Sequence, residues 1–409
     1  MSKQKKKGLM PALRFSEFRN AGTWECEFSD VLFDQTSNKT HNSDIPILAI
    51  TQEQGAIPRN LIDYHVSVTD KSIESYKVVE VGDFIISLRS FQGGIEYSRY
   101  KGICSPAYVV LRLKPGYSAN YFRHFLKTDR FIALLTKNLE GLRDGKMISY
   151  KQFSEILLPT PTRNEQQKIA DCLTSIDDLI TAQTQKLATL KTHKKGLMQQ
   201  LFPEGETVPK LRFPEFRDKG EWAVKKLFQV CEINPSANAL PESFVYIDLE
   251  SVEAGRMLKK NYISRETAPS RAQRQLKHGD VIFQMVRPYQ KNNYYFLPDD
   301  DLDYVASTGY AQLRANESSR FLFQYLHNDR FVDRVLSKCT GSNYPAINSS
   351  SLSEILVEVP QPREQQKIAE FLTAIDDLIS NQTKKIEALK AHKKGLMQQL
   401  FPAMDEVDA

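Results

Sequence analysis

The sequence predicts a mixed α/β chain, with two similar globular units separated by two long antiparallel coiled-coil helices in a pseudo-twofold arrangement. Three observations carry that reading. Glu165 to Pro203 returns 199 residues later as Glu364 to Pro402, identical at 29 of 39 positions. Pro11-Ala-Leu-Arg-Phe-Ser-Glu-Phe-Arg19, with Gly22 and Trp24, returns as Pro209-Lys-Leu-Arg-Phe-Pro-Glu-Phe-Arg217, with Gly220 and Trp222. Both long segments also keep apolar residues at alternating four- and three-residue steps, the signature of a coiled-coil seam. A solenoid repeats every 20–50 residues or so, so a period near 200 means that each copy accompanies a whole domain. The chain reads as a fused pseudo-dimer.

In chain order, Lys3, Lys5, Lys6 and Lys7 form a basic tail expected to be disordered, and the first globular unit fills residues 1–160. Within it, Gly82-Asp83-Phe-Ile-Ile is a turn feeding an apolar strand, matched by Gly279-Asp280-Val-Ile-Phe in the second unit. Asp129-Arg130-Phe131, in an amphipathic stretch, answers to Asp329-Arg330-Phe331. Ser154-Glu-Ile-Leu157, followed by Pro161, answers to Ser353-Glu-Ile-Leu356, followed by Pro360. The first long helix occupies 161–203, the second unit 204–359 and the second helix 360–402; an acidic tail, 403–409, is expected to be disordered.

The first seam runs Ile169, Leu173, Ile176, Ile180, Gln183, Leu187, Leu190, Lys194, Leu197 and Leu201. The second runs Ile368, Leu372, Ile375, Ile379, Gln382, Ile386, Leu389, Lys393, Leu396 and Leu400, with its polar residues in the same places. Thr162 and Glu165 have the spacing of a capping box, Pro362 suits a helix start, and Pro203 and Pro402 stop both copies. A surface helix packed on its own domain averages only about 11–12 residues, which disfavours that simpler reading. In an antiparallel pair Gln183 and Gln382 would meet and satisfy each other's amides, fixing register, with Leu187 and Ile386 in the apolar seam beside them. Gly196 and Gly395 sit inside the pattern at a cost of about 1 kcal/mol each, explained by close approach of another backbone or by fraying.

Composition bounds the function. With 409 residues, 41% of them hydrophobic, the chain can bury sizeable cores. It has no long apolar run, so no membrane partner is expected and the cytoplasm is the expected compartment. Five scattered cysteines without a C-x-x-C pair argue against zinc and disulfides. The net charge of +5 is concentrated in residues 1–160, which carry 22 basic against 17 acidic residues, while 204–360 carry 20 against 21. That suits a protein contacting few phosphates per domain. Residues 35–110 and 233–310 share almost nothing beyond the Gly-Asp strand, so one frame carries two different surfaces.

The junctions Ile156 to Ile169 and Ile355 to Ile368, with the Lys-Lys-Gly-Leu-Met-Gln-Gln endings, resemble the specificity subunits of type I restriction-modification systems over nearly the whole chain. The first junction departs slightly, with Thr162-Arg163-Asn164 where the second has Gln361-Pro362-Arg363. The resemblance implies two target recognition domains, double-stranded DNA as ligand and two methyltransferase subunits as partners, with restriction subunits in a larger assembly. It implies S-adenosylmethionine, and ATP with Mg, on the partners and no cofactor or catalysis here. Asn234-Pro235-Ser236-Ala237 lacks the second proline and the aromatic of an adenine-methyltransferase motif. No phosphate-binding loop, metal-ligand cluster or nucleophile elbow is present, and His193 and His392, matched among lysines, suit solvent or a partner. The alternatives are a coiled-coil scaffold without DNA specificity and an enzyme acting alone.

Under this resemblance the segments after the Gly-Asp strands are the candidate DNA readers. The first offers Arg89, Ser90 and Gln92 beside Gly93 and Gly94, a glycine pair that would let backbone approach a phosphate. The second offers Arg287, Tyr289, Gln290, Lys291 and Asn292. Arginine suits guanine and glutamine adenine in the major groove. The loops Arg143-Asp-Gly-Lys146 and Ser342-Asn-Tyr344 rank lower.

Overall fold

In the computed structural model the described residues are 8–41, 44–62, 73–137, 148–205, 207–236 and 239–403. The lysine-rich and acidic tails therefore lie outside them, apart from Ala403. The two long helices are Arg163–Leu201 and Pro362–Leu400, 39 residues each. No seam position is exposed, whereas most residues flanking the seams are. The ends are the most buried: Ile169 and Ile368 are 1% exposed, Leu201 and Leu400 2%.

The chain divides into two compact units, one of Met1–Thr184 with Lys385–Ala409, the other of Gln185–Lys384. The division falls inside both helices, so neither unit is a domain plus its own helix. Each unit combines a globular part, the front of one helix and the back of the other, in antiparallel order. In the first unit Ile169 and Leu173 share a core with Leu396, Met397 and Leu400. In the second, Ile368, Leu372 and Ile375 share a core with Met198 and Leu201.

The aromatic ending of each helix explains why the repeat extends to Leu-Phe-Pro. Phe401 packs edge-on against Tyr121 and Phe125, at 5.5 and 5.4 Å between ring centroids. Phe202 packs against Trp222, Phe321 and Tyr325 at 6.4, 5.9 and 5.4 Å. The first helix thus ends in the core of the second unit, and the second helix ends in the core of the first.

The Asp-Arg-Phe anchors hold those endings. Arg130 donates to the Phe401 carbonyl at 2.8 Å and Arg330 to the Pro203 carbonyl at 3.1 Å. Asp129 pairs with Lys394 at 3.0 Å and Asp329 with Lys195 at 3.4 Å, contacts too exposed to add much stability. The Leu13 amide donates to the Gln399 carbonyl and the Leu211 amide to the Gln200 carbonyl, both at 2.9 Å.

At the helix starts, Arg14 makes a bidentate pair with Glu165, both bonds 2.7 Å, and Arg212 with Glu364, at 2.7 and 2.8 Å. Glu165 and Glu364 are each 1% exposed. The capping box is therefore only half formed. Thr162 Oγ1 accepts the Glu165 amide at 3.4 Å, but the Glu165 carboxylate turns to Arg14, a charged partner that outcompetes a backbone amide.

The seam lysines are paired as well. Lys393 reaches Asp177 and Lys194 reaches Asp376, both at 2.6 Å, and Gln324 donates to Asp376 at 2.7 Å. His124 stands where the second unit has Gln324; burial, with Lys393 and Arg123 nearby, pushes its pKa down to about 2, so it faces Asp177 neutral. Gln183 is half-buried in the first unit, and Gln382 is 7% exposed in the second. Leu187 is half-buried and Ile386 7% exposed. Gly196 and Gly395 have nothing within 4 Å of an added Cβ, so close approach of another backbone does not account for them, and both helices continue past them.

Each globular part is built on the same antiparallel four-stranded sheet. Its order is Phe33–Thr36, Val109–Leu113, Phe84–Ile86, Glu96–Tyr97 in the first unit, and Cys231–Ile233, Tyr310–Ala315, Val281–Gln284, Tyr294–Tyr295 in the second. The Gly-Asp turn feeds the third strand in both. A two-stranded ribbon, Glu25–Phe28 with Leu157–Thr160 or Ala223–Lys226 with Leu356–Val359, ties the unit's start to the helix junction. The remainder differs. The first unit adds two two-stranded ribbons; the second adds a two-stranded hairpin, Val252–Glu253 with Arg256–Met257, and a four-stranded sheet in which Ser243–Ile247 runs parallel to Tyr304–Ser307.

Three outcomes follow. Glu364→Ala strands Arg212 and leaves the Trp222 indole N–H, 3.3 Å from Glu364, without its acceptor, so urea titration should show a loss of about 3–5 kcal/mol. Glu165→Ala should cost less, because Trp24 Nε1 makes no bond in the first unit. Ile386→Asp should lower the unfolding temperature more than Leu187→Asp, following their burial. Buried Glu358, bonded to Arg334 and Tyr325, stands where the first unit has Pro159. Burial alone would raise its pKa, but Arg334 and Tyr325 outweigh this and hold it below the ordinary 4.5. A lowered folded pKa gives stability present above the unfolded value and lost as pH falls through the folded one. Acid titration below about pH 4.5 should therefore destabilise the wild type more steeply than Glu358→Gln.

Candidate functional site

The Gly-Asp turns position both candidate segments. Asp83 accepts two bonds from Arg112, both 2.8 Å, and Asp280 two from Arg314, both 2.9 Å. Each carboxylate also accepts the amide three residues upstream, Glu80 at 2.8 Å and Lys277 at 2.7 Å. The turn, the strand it feeds and the neighbouring strand are thereby locked. The segment leaving the strand's far end exposes Arg89 and Gln92 in the first unit and Tyr289 and Gln290 in the second.

In the first unit that segment forms a short helical turn, Ser90–Gly93. Arg89 and Gln92 are exposed on it, but Ser90 is 1% exposed and accepts the Ser87 amide at 2.9 Å, so Ser90 shapes the loop from inside. The glycine pair does not lie open to a ligand. A Cβ on Gly94, whose φ is 78°, would fall 2.2 Å from the Leu126 carbonyl, and one on Gly93 would fall 2.7 Å from the Gln52 side chain. Both glycines serve tight packing of the loop on its own unit. Lys127 completes the seat, donating to the Gln52 carbonyl at 3.1 Å and the Gly93 carbonyl at 2.8 Å, and pairing with buried Glu96.

Beside this loop lies the hairpin Leu48–Thr51 and Gly55–Pro58. Together they enclose a cleft of about 720 Å³, lined by Arg59 and Arg89, by Gln52 and Gln54, and by Tyr108 among others. Sequence reasoning missed the hairpin, because its polar turn, Gln52-Glu53-Gln54, is indistinguishable from any surface turn until Arg89 is placed opposite it.

The second unit builds the same place from unrelated residues. Arg287 and Lys291, at φ 53° and 55°, bracket the single turn Pro288–Gln290 in left-handed conformation. Such strain costs on the order of 1–3 kcal/mol per residue and persists only where the surroundings fix it. Here the Arg287 amide donates to the Pro345 carbonyl at 2.8 Å, and Lys291 donates to the His327 carbonyl at 2.8 Å and pairs with Asp329. Lys291 thus fastens the loop, and Gln290 accepts from buried Gln284 at 2.9 Å. Asn292 Oδ1 accepts the Ala254 amide at 3.2 Å.

Tyr289 remains 49% exposed. The Arg287 guanidinium lies 4.2 Å from the centroid of the Tyr344 ring, itself 64% exposed. Tyr344, ranked low from sequence, therefore belongs to the site; only the fold brings positions 287 and 344 together. The loop Arg143–Lys146 lies outside the described residues.

Asn234 donates to Ser349 at 2.8 Å and accepts the Gln312 amide at 3.0 Å, both uses internal to the fold. Among the described residues no His, Cys, Asp or Glu cluster could hold a metal ion, and no helix is long and apolar enough to cross a membrane.

Comparison with known proteins places this frame. Residues 26–192 and 219–391 match the type I restriction modification DNA specificity domain. The chain is 26% identical over 354 residues to the type I restriction enzyme MjaVIII specificity subunit of Methanocaldococcus jannaschii, covering 82% of this chain and 81% of that one. It is 28% identical over 178 residues to the HindI specificity subunit of Haemophilus influenzae, covering 42% and 38%. Its fold resembles the crystal structure of the type I restriction-modification S subunit from M. genitalium, with a TM-score of 0.56, 15% identity and coverage of 97% and 100%. A chain from a structural study of complex assembly and conformational transition in a type I system gives a TM-score of 0.54 at 16% identity, with coverage of 93% and 97%. With the domain matched twice over most of its length, this chain belongs to the type I restriction-modification DNA specificity family and is a specificity subunit.

Proposed function

We propose that the chain reads a bipartite duplex target, one half-site per unit, and presents that target to methyltransferase subunits, with restriction subunits joining a larger cytoplasmic assembly. The chemistry belongs to those partners, which would bind S-adenosylmethionine, and ATP with Mg. The observation that carries this reading is that two exposed segments of unrelated sequence leave the same strand end of the same frame. A frame under one constraint that carries two different tips is what two half-sites of different sequence require. A scaffold without DNA specificity would have no use for the difference.

In the first unit Arg89 and Gln92 carry the base-edge donors and acceptors, with Ser90 shaping the loop. In the second, Arg287 is oriented by Tyr344, Tyr289 and Gln290 are exposed beside it, and Lys291 and Asn292 hold the loop in place. Arg89→Ala should relax one position of one half-site, and Arg287→Ala one position of the other. Each lost bidentate contact should cost about 1–3 kcal/mol, read by selection from randomised duplexes. An equal loss on every sequence would mark both as phosphate contacts instead.

The helices bear on the gap between half-sites. Four residues inserted near Thr184 add about 6 Å of helix, close to two base pairs at about 3.4 Å each. Mapping methylated adenines should then show a longer gap between unchanged outer sequences, blunted where the insertion unwinds the seam. An active variant with the original gap and altered outer bases would contradict a spacer role.

A further inference from the structure

In both units the loop after the Gly-Asp strand touches a hairpin from a different part of the chain. In the first, the Gln52 amide donates to the Arg89 carbonyl at 3.3 Å, Gly93 leaves room for the Gln52 side chain, and Lys127 bonds hairpin and loop carbonyls together. In the second, Val252–Glu253 pairs with Arg256–Met257 through Ala254 and Gly255, whose φ values of 47° and 78° suit a tight two-residue hairpin turn. The Ala254 amide donates to the Asn292 side chain at 3.2 Å. No residue is shared between the two contacts, and the hairpins belong to the divergent parts of the sequence. The juxtaposition is common to both units.

The first hairpin carries side chains suited to base edges. Gln54 is exposed at its turn, and Arg59, at its end, is half-buried. Both line the cleft shared with Arg89, where Glu53 is the one carboxylate among the described lining residues. Leu48 and Ile50 line it together with amide and guanidinium groups, so a polyanion entering it meets Arg59 and Arg89. Glutamine can bond adenine N6 and N7 together, and arginine guanine O6 and N7. In the second unit Arg256 opens the second strand of the hairpin, opposite Glu253.

Resting on the DNA-reading function proposed above, we infer that these hairpins are a second base-reading element in each unit. Gln54 and Arg59 serve the half-site of the first unit and Arg256 that of the second; Gln52 is a positioning residue for Arg89. Each half-site is then read from two directions, by a loop and by a hairpin hydrogen-bonded to it.

The test uses the full chain co-purified with its methyltransferase partner, selecting from duplex pools randomised at both half-sites, with Gln54→Ala, Arg59→Ala, Arg256→Ala and Arg89→Ala compared with wild type. Gln54→Ala and Arg59→Ala should each weaken preference for one base in the half-site that Arg89 affects, by about tenfold. The other half-site should be unchanged, which shows that each variant is folded. Arg256→Ala should give the mirror image. The inference is overturned if Arg89→Ala relaxes its half-site while the hairpin variants keep every base preference, whether affinity falls evenly or not at all. If instead the hairpin variants shift base preference and Arg89→Ala does not, the hairpins stand as readers and the loop assignment falls.

Discussion

A buried arginine–glutamate pair at the start of each long helix fixes the geometry on which the rest depends. Arg14 with Glu165, and Arg212 with Glu364, join the opening of a globular part to the first turn of a helix about 150 residues later in the chain. Desolvating two charges is costly, so such pairs contribute less to net stability than their bond lengths suggest. Their value is directional. A bidentate fork accepts one mutual orientation, and Arg14 and Arg212 also bond the Gly22 and Gly220 carbonyls, at 2.5 and 2.6 Å. Helix start, Leu-Arg-Phe segment and glycine turn are set in a single arrangement.

The opposite end of each unit is closed by the other helix. Phe401 and Phe202 fill aromatic pockets, and Arg130 and Arg330 cap the carbonyls beyond the last turns. Each globular part is thus held by the start of one helix and the end of the other, which explains why the repeat is so well kept at its two extremities. Within this frame the exposed tips are free to differ. The Gly-Asp carboxylates spend their bonding on Arg112 and Arg314, and the loops beyond are fastened by lysines of opposite origin: Lys127 reaches into the first loop, and Lys291 reaches out of the second.

The helices, their seam, the paired frame and the Gly-Asp strands were legible in the sequence because each depends on local periodicity or on direct repetition. The antiparallel order followed from the same symmetry. The partnership of Glu165 with Arg14 was not legible, since an S/T-x-x-E spacing looks the same whether the carboxylate turns back to the amide or outward to a guanidinium. Nor was the division of each unit across both helices, which rests on Phe202 and Phe401 finding cores far from their own start. Of the candidate readers, Arg89, Gln92, Arg287 and Tyr289 lie where the Gly-Asp spacing put them. Ser90 is buried and Lys291 is ion-paired for reasons of three-dimensional packing. Tyr344 and the two hairpins reach the site through long-range contacts that no spacing encodes.

The central claim is that two units on one frame read two separate sequences. Mapping methylated adenines across the genome of cells carrying the complete system tests it most directly. The account predicts a bipartite motif, two specified blocks flanking an unspecified gap, with the block sequences unrelated to one another. A single uninterrupted motif, or methylation without sequence preference, would contradict it.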